Sequence, residues 1–92
     1  MQLSGRVAIV TGAGQGIGKA IALKLASYGA DVCSVDVNLA NAEQTAKEIS
    51  AMGKRSLALK VDVTSLKEAE EMADKVFDTF EGLHILVNYA GI

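Results

Sequence analysis

Residues 11–18 read Thr-Gly-Ala-Gly-Gln-Gly-Ile-Gly, so that every second position from 12 to 18 is a glycine. Glycine loses more backbone entropy on folding than any other residue, and such a run is unfavourable inside an ordinary helix or strand. A short β-branched stretch precedes the run, and an apolar helical stripe follows it. The run therefore predicts a turn between a strand and a helix at which another group must approach the backbone closely.

The same alternation of strand and helix continues to the end of the chain. Strands are predicted at residues 6–11, 31–36, 55–61 and 83–88, and helices at residues 18–28, 39–52 and 66–81. Asn38 is a candidate N-cap of the second helix, and either Thr64 or Ser65 of the third, with Ser65 and Glu68 at capping-box spacing. Gly29, Gly53 and Gly82 are candidate helix stops. The order βαβαβαβ predicts one α/β domain, residues 1–92, with a parallel sheet and right-handed crossovers.

Three apolar stripes at helical spacing are expected to face this sheet. They are Ile17, Ile21, Ala22, Leu25 and Ala26; Leu39, Ala42, Ala46 and Ile49; and Leu66, Ala69, Met72, Ala73, Val76, Phe77 and Phe80.

Composition excludes several classes of function. Half of the residues are hydrophobic, and the nine basic and eleven acidic residues give a net charge of −2. A nucleic-acid surface needs a basic excess, and a membrane-spanning helix needs about 20 apolar residues, far more than the longest run here. We therefore expect no nucleic-acid or membrane partner. The single cysteine, Cys33, is expected to be a buried strand residue in a cytoplasmic protein. His84 has no clustering partners, so no metal site is predicted.

A glycine loop at a helix start exposes unpaired amides that bind phosphate, and several such loops are known. A Walker A loop would require a glycine where Ala13 stands and a hydroxyl residue where Ala20 stands. The Gly-x-Gly-x-x-Gly pattern would require a glycine at Ile17 or at Lys19. The spacing that fits is Thr-Gly-x-x-x-Gly-x-Gly, formed by Thr11, Gly12, Gly16 and Gly18.

With this spacing the sequence resembles the short-chain dehydrogenase/reductase family of nicotinamide-dependent Rossmann enzymes. Three further motif positions support the resemblance: Asp36 at the end of the second strand, Asp62-Val63-Thr64 after the third, and the Asn88-Tyr89-Ala90-Gly91 segment after the fourth. The resemblance covers essentially the whole chain and implies the strand order 3-2-1-4. In such a sheet, ligands bind beyond the carboxyl ends of the strands, where the strand order reverses.

The resemblance implies a dinucleotide cofactor held by the glycine loop and by the ends of the other strands. The expected cofactor-binding residues are Gly12, Gln15, Gly16, Ile17, Gly18, Asp36, Asp62, Val63, Asn88, Ala90 and Gly91. Asp62 and Val63 would contact the adenine edge. The alternative for Asp62 is a residue of the turn before the third helix, and the alternative for Asn88 is a polar residue that ends its strand.

The residues around Asp36 predict NAD rather than NADP. Asp36 lies 18 residues after Gly18, near the spacing expected of the acid that binds the adenosine ribose. A carboxylate accepts hydrogen bonds from ribose hydroxyls and repels a 2′-phosphate. In the family, a basic residue at position 15 or 37 marks NADP users, and here these positions are Gln15 and Val37.

The resemblance also implies catalysis by a Ser and by a Tyr-x-x-x-Lys pair, which this chain lacks. Val32 follows Tyr28 at the lysine spacing, and the chain ends before the equivalent position after Tyr89. We therefore expect the NAD-binding portion of an oxidoreductase, with no catalytic residues in this polypeptide. The alternative is a non-catalytic Rossmann scaffold.

Two further expectations concern the fourth strand. Tyr89 departs from the second Asn that is usual in the family motif. The strand itself is expected at an edge of the sheet, with exposed apolar residues that predict self-association or packing against a C-terminal half.

Overall fold

Strands and helices alternate along the whole described chain. The computed structural model describes residues 2–89. Its elements are β1 (Val7–Thr11), α1 (Gly16–Ser27), β2 (Asp31–Asp36), α2 (Leu39–Ala51), β3 (Ser56–Lys60), α3 (Leu66–Phe80) and β4 (Ile85–Asn88). The predicted order βαβαβαβ is confirmed, and the predicted element ends differ from the observed ones by at most two residues.

The four strands form one parallel sheet in the order β3-β2-β1-β4. This is the predicted order 3-2-1-4. Thr11, the last residue of β1, is opposite Val35 of β2 on one side and Asn88 of β4 on the other. The carboxyl ends of all four strands therefore lie at one edge of the sheet, and the strand order reverses between β1 and β4.

Each face of the sheet has its own apolar layer. The α1 and α2 face buries mostly small residues: Ala8, Val10, Ala13, Ala22, Ala26, Ala30, Val32 and Ile49. The α3 face buries larger ones: Val7, Ile9, Cys33, Val35, Val61, Met72, Val76 and Phe80. The residues of β1 are all buried, which explains why its sequence is continuously apolar rather than alternating.

The predicted helix stripes are correct at their centres and wrong at their margins. Met72 and Val76 are buried as predicted, whereas four other stripe members are exposed: Ile17 (59%), Leu39 (41%), Leu66 (74%) and Phe77 (58%). Ile17, Leu39 and Leu66 lie in the first turns of their helices. Phe77 lies on a flank of α3, about 100° around the helix from the buried Val76.

Asn38 is confirmed as an N-cap, Ser65 rather than Thr64 caps α3, and α3 ends directly before the predicted stop Gly82. The Asn41 amide donates to Oδ1 of Asn38 at 3.1 Å, and the Glu68 amide donates to Oγ of Ser65 at 3.2 Å. The C-cap residue of α3 is Glu81, which adopts the left-handed conformation with φ of 60°.

Cys33 is expected to be chemically inert in the folded protein. It is completely buried in the centre of β2, and burial raises the pKa of its thiol from 9.0 to about 12. Since the thiolate is the reactive form, a maleimide should label folded protein very slowly and protein unfolded in urea completely. In a Cys33→Ala background, Ser4→Cys places an exposed thiol as the control and should react at once. Equal labelling rates of the two thiols under native conditions would contradict the buried position.

Candidate functional site

A cleft of about 510 Å³ lies at the carboxyl edge of the sheet. Its lining residues within residues 2–89 come from all four strand ends: Gly12, Gln15, Gly16 and Ile17 from the glycine loop, Val35, Asp36 and Val37 from the end of β2, Val61 and Val63 after β3, and Tyr89 after β4. The sequence-predicted residues Gly12, Gln15, Gly16, Ile17, Asp36 and Val63 thus meet at one site.

Two glycines allow α1 to begin directly against the end of β1. A Cβ atom on Gly18 would lie only 1.9 Å from the carbonyl oxygen of Gly12, so no other residue fits there without moving the backbone. Gly12 itself has φ of 69°, in the left-handed region that favours glycine. Gly18 is therefore buried and has a packing role, although the sequence placed it among the cofactor-binding residues.

The first turn of α1 is open to an anion. Its N-cap residue, Gln15, makes no side-chain capping hydrogen bond, and the first turn contains no acidic residue. The first amides of a helix have no partners within the helix, and the helix dipole adds partial positive charge at the same end. Because Gly12, Gly16 and Ile17 line the cleft here, these amides can be reached from it.

The carboxylate of Asp36 is held at the same edge as these amides. Its Oδ2 accepts a hydrogen bond from the Gly14 amide at 2.9 Å, and its Oδ1 accepts one from the Asn38 amide at 3.0 Å. A carboxylate oxygen has two acceptor positions, so each oxygen can still accept a hydroxyl from a ligand. The side chain is half-buried and lines the cleft.

Gly14 brings the loop and Asp36 together, although the sequence analysis did not assign it a role. A Cβ atom on Gly14 would lie 2.7 Å from Oδ2 of Asp36 and 2.7 Å from Cβ of Asn41. The loop is also fixed from α2, where Oγ1 of the buried Thr45 donates to the Ala13 carbonyl oxygen at 2.9 Å. The signal for Gly14 was its place in the glycine run. The signal for Thr45 was a polar residue on an otherwise apolar helix face.

The nearest basic side chain in sequence, Lys19, is directed away from the cleft. Its Nζ lies 2.6 Å from Oε2 of Glu48 on α2, and this hydrogen bond lowers the pKa of Glu48. None of the cleft-lining residues of the described chain is Lys or Arg. The positive potential at the cleft therefore comes from the backbone of α1, and Asp36 contributes a negative charge beside it.

Asp62 organises the turn before α3. Its Oδ1 accepts hydrogen bonds from Oγ1 of Thr64 at 2.6 Å and from the Thr64 amide at 2.9 Å, and these lower the pKa of Asp62 below its ordinary 3.8. Val61 and Val63 on either side of it line the cleft, whereas the Asp62 side chain is not among the lining groups. The predicted adenine contact of Asp62 stays a prediction.

The motif after the fourth strand, residues 88–91, lies partly outside the described residues. Asn88 accepts a hydrogen bond at Oδ1 from Oγ1 of Thr11 at 2.8 Å, which joins the carboxyl ends of β1 and β4. Asn88 is next to the cleft-lining Tyr89 but does not itself line the cleft. The predicted cofactor residues Ala90 and Gly91 lie outside residues 2–89.

Four lining residues were not predicted as site residues: Val35, Val37, Val61 and Tyr89. The valines carry no chemical signature in the sequence. Tyr89 did carry one, since it departs from the family motif, but only the structure places it in the wall of the cleft.

Residues 2–89 contain no group of three or more His, Cys, Asp or Glu side chains able to hold a metal ion. His84 has a structural role, because its Nδ1 accepts a hydrogen bond from the Val7 amide at 3.0 Å at the opposite edge of the sheet. None of the described helices combines the length and the apolar character needed to cross a bilayer.

The strand order and the glycine loop define a Rossmann-type, doubly wound α/β protein. The family model for short chain dehydrogenases matches residues 6–92. The chain therefore belongs to the short-chain dehydrogenase family.

Known members of the family agree with this assignment. A short-chain dehydrogenase/reductase of Armillaria gallica is 48% identical over 90 residues, which are 96% of this chain and 34% of the relative. A short chain dehydrogenase structure from Mycobacterium avium superposes with a TM-score of 0.93 at 38% identity, covering 100% of this chain and 35% of that one.

A 7α-hydroxysteroid dehydrogenase, solved with NADH and 7-oxo glycochenodeoxycholic acid, superposes with a TM-score of 0.91 at 40% identity, covering 95% of this chain and 34% of that one. The chain thus spans about a third of the length of the relatives it matches.

We predict that Gly18→Ala destabilises the protein far more than Gly16→Ala. The Gly18 substitution forces a methyl group into the Gly12 carbonyl and should lower the free energy of unfolding by about 3 kcal/mol or more. Gly16 has φ of 61° but open space around its Cβ position, so alanine there should cost only about 1 kcal/mol of backbone strain. Urea unfolding followed by circular dichroism measures both. Equal losses of unfolding free energy in Gly18→Ala and Gly16→Ala would show that the Gly12–Gly18 contact does not position α1.

Proposed function

We propose that the cleft binds NAD, with the pyrophosphate at the start of α1 and the adenosine ribose on Asp36. The observation that carries the proposal is the 2.9 Å hydrogen bond between the Gly14 amide and Oδ2 of Asp36. It holds a ribose-binding carboxylate and a phosphate-binding helix start at one edge of one cleft. Neither feature alone would distinguish a dinucleotide from a simple anion.

The residues of the cleft fit such a group. Gly12 and Gly16 present backbone without side chains beside the first-turn amides of α1, which have no capping side chain. Val35, Val61 and Val63 provide an apolar surface on the other side of Asp36, suited to the flat face of an adenine ring. The structural relative solved with NADH supports this assignment by similarity.

The charges favour NAD over NADP. A 2′-phosphate would lie against the Asp36 carboxylate, and no Lys or Arg among the described lining residues could offset the repulsion. Val37 is 65% exposed and uncharged at the position where a basic residue would serve NADP. Free ribose hydroxyls, in contrast, can donate to the acceptor positions that Asp36 retains.

The remaining predicted contacts are part of the same proposal. Val63 and the backbone at Asp62 would contact the adenine edge, and Asn88, Ala90 and Gly91 would approach the nicotinamide half of the cofactor. The free thiol of Cys33 is consistent with a reducing compartment, and on this ground we propose the cytoplasm.

The class of reaction is proposed from the family. Bound NAD supplies a hydride acceptor or donor for an alcohol/carbonyl pair. The residues described here bind and orient the cofactor, whereas the Ser and Tyr-x-x-x-Lys groups that the family uses are absent from the 92-residue sequence. We infer that these residues form the cofactor-binding portion of an NAD-dependent oxidoreductase.

The substitution Asp36→Ala tests the binding mode, with Asp31→Ala as the matched control. Asp31 lies at the other end of the same strand, where its carboxylate pairs with Arg55 at 3.0 Å. In calorimetric titrations the unsubstituted protein should prefer NAD over NADP by at least about 1.4 kcal/mol, or tenfold. Asp36→Ala should weaken NAD binding and remove the preference, and Asp31→Ala should preserve both.

Two results would contradict the proposal. Equal affinities for NAD and NADP in the unsubstituted protein would remove the role given to Asp36. Absence of saturable binding by folded protein would favour the alternative of a non-catalytic Rossmann scaffold.

The exposed apolar side of β4 favours a protein partner in addition to the cofactor. Leu86 is 61% exposed on the α3 side of the sheet, and Phe77 is 58% exposed on α3. Strand edges with unpaired backbone groups and apolar side chains promote association. We propose that this surface is covered either by a C-terminal half, as the greater length of the relatives suggests, or by a second copy of the 92-residue polypeptide.

For the isolated polypeptide, we predict concentration-dependent association that Leu86→Glu weakens. The charge would have to be desolvated at the new contact, so the dissociation constant should rise at least about tenfold. Met52→Glu is the control, because Met52 is 40% exposed at the end of α2, on the other face of the sheet. Sedimentation velocity measures the dissociation constants of both variants. A folded monomer at every concentration reached would contradict self-association.

A further inference from the structure

Tyr89 is the one aromatic residue among the described residues that line the cleft. The other described lining residues are glycines, aliphatic side chains, Gln15 and Asp36. Tyr89 is 37% exposed and lies in the wall of the cleft. An aromatic ring in this position offers a flat apolar surface and a hydroxyl that both donates and accepts hydrogen bonds.

Tyr89 and Asp36 lie on opposite sides of the glycine loop. Thr11 at the end of β1 is opposite Val35 of β2 and Asn88 of β4, and Asp36 and Tyr89 are the next residues along these strands. Neighbouring strands are about 4.8 Å apart, so two strand spacings, roughly 10 Å, separate the backbones of Asp36 and Tyr89. The start of α1 lies between them at the end of β1.

This order fixes which part of a dinucleotide each residue meets. With the adenosine ribose on Asp36 and the pyrophosphate at the start of α1, the chain of the ligand continues towards β4. The group that follows the pyrophosphate is the second ribose, which carries the nicotinamide. AMP ends at its single phosphate and does not extend this far.

We propose that Tyr89 is a specificity-determining residue that contacts the nicotinamide-side ribose and selects the complete dinucleotide over its adenosine half. The inference rests on the proposed function, since it takes Asp36 as the adenosine side of the cleft. It gives Tyr89 a binding role at a position where the family motif usually has an asparagine.

Calorimetric titration of AMP, ADP-ribose and NAD into variants of the 92-residue protein tests this role. Tyr89→Ala should lower the affinity for ADP-ribose and NAD roughly fivefold, as expected for loss of an aromatic contact. The affinity for AMP should stay unchanged. Tyr89→Phe retains the ring and should keep most of the affinity. Tyr28→Ala is the control, because Tyr28 lies at the far end of α1, with its ring 5.3 Å from Nζ of Lys24.

A second measurement leaves Tyr89 unchanged and so does not depend on a variant that folds poorly. The sequence has no tryptophan and only two tyrosines, so in Tyr28→Phe the tyrosine emission comes from Tyr89 alone. ADP-ribose should change this emission, and AMP at matched absorbance should not. The Tyr28→Phe/Tyr89→Phe protein provides the background signal.

The possible results separate the two proposals. Binding of AMP and NAD with no effect of Tyr89→Ala on ADP-ribose, and no change in Tyr89 emission, would overturn the role of Tyr89 alone. An equal loss of AMP and ADP-ribose affinity in Tyr89→Ala, with unchanged emission, would also overturn it, because the substitution would then act on the whole cleft. Absence of binding by all three ligands to the unsubstituted protein would overturn the proposed function, and this inference with it.

Discussion

The close approach of Gly18 to the Gly12 carbonyl is the constraint on which the site depends. With no Cβ at either position, α1 can begin directly against the end of β1, and its first-turn amides open into the cleft. Any side chain at position 18 would push the helix away from the strand. The glycines therefore have two effects: they allow the helix to pack on the sheet, and they leave its amides accessible.

The hydrogen bond from the Gly14 amide to Asp36 connects this helix start to the neighbouring strand. It places a negative charge beside a region of positive backbone potential, and the cleft includes both. Such a pair of environments suits a ligand with phosphate and vicinal hydroxyl groups close together. The same carboxylate disfavours an additional phosphate on that sugar. One geometric arrangement would thus account for both the proposed binding of a dinucleotide and the proposed choice between its two common forms.

Much of the fold could be predicted because its signals are local. Continuous β-branched runs marked the buried strands, and Asn38 and Ser65 marked two helix starts through hydrogen bonds within one turn. The strand order came from the family resemblance and the rules for parallel sheets. In the site, Asp36 could be predicted because its chemistry and its position after β2 both pointed to the same edge of the sheet.

What could not be predicted depends on contacts between distant elements. Periodicity finds the centre of a buried helix face, but the width of that face is set by the sheet beneath it, and so Leu66 and Phe77 are exposed. Gly14 is required because Asp36 and Asn41 approach it from another strand and another helix. The contribution of Tyr89 to the cleft depends on β4 lying next to β1, whereas these strands are separated by most of the chain.

The central claim is that the amides at the start of α1 and the carboxylate of Asp36 bind one ligand together. Titration of isotopically labelled protein with ADP-ribose, followed by backbone amide chemical shifts, tests it most directly. We predict that the largest shifts occur in residues 12–18 and 36–38, at a common dissociation constant. Shifts confined to one of these two segments, or concentrated at the opposite edge of the sheet around His84, would contradict it.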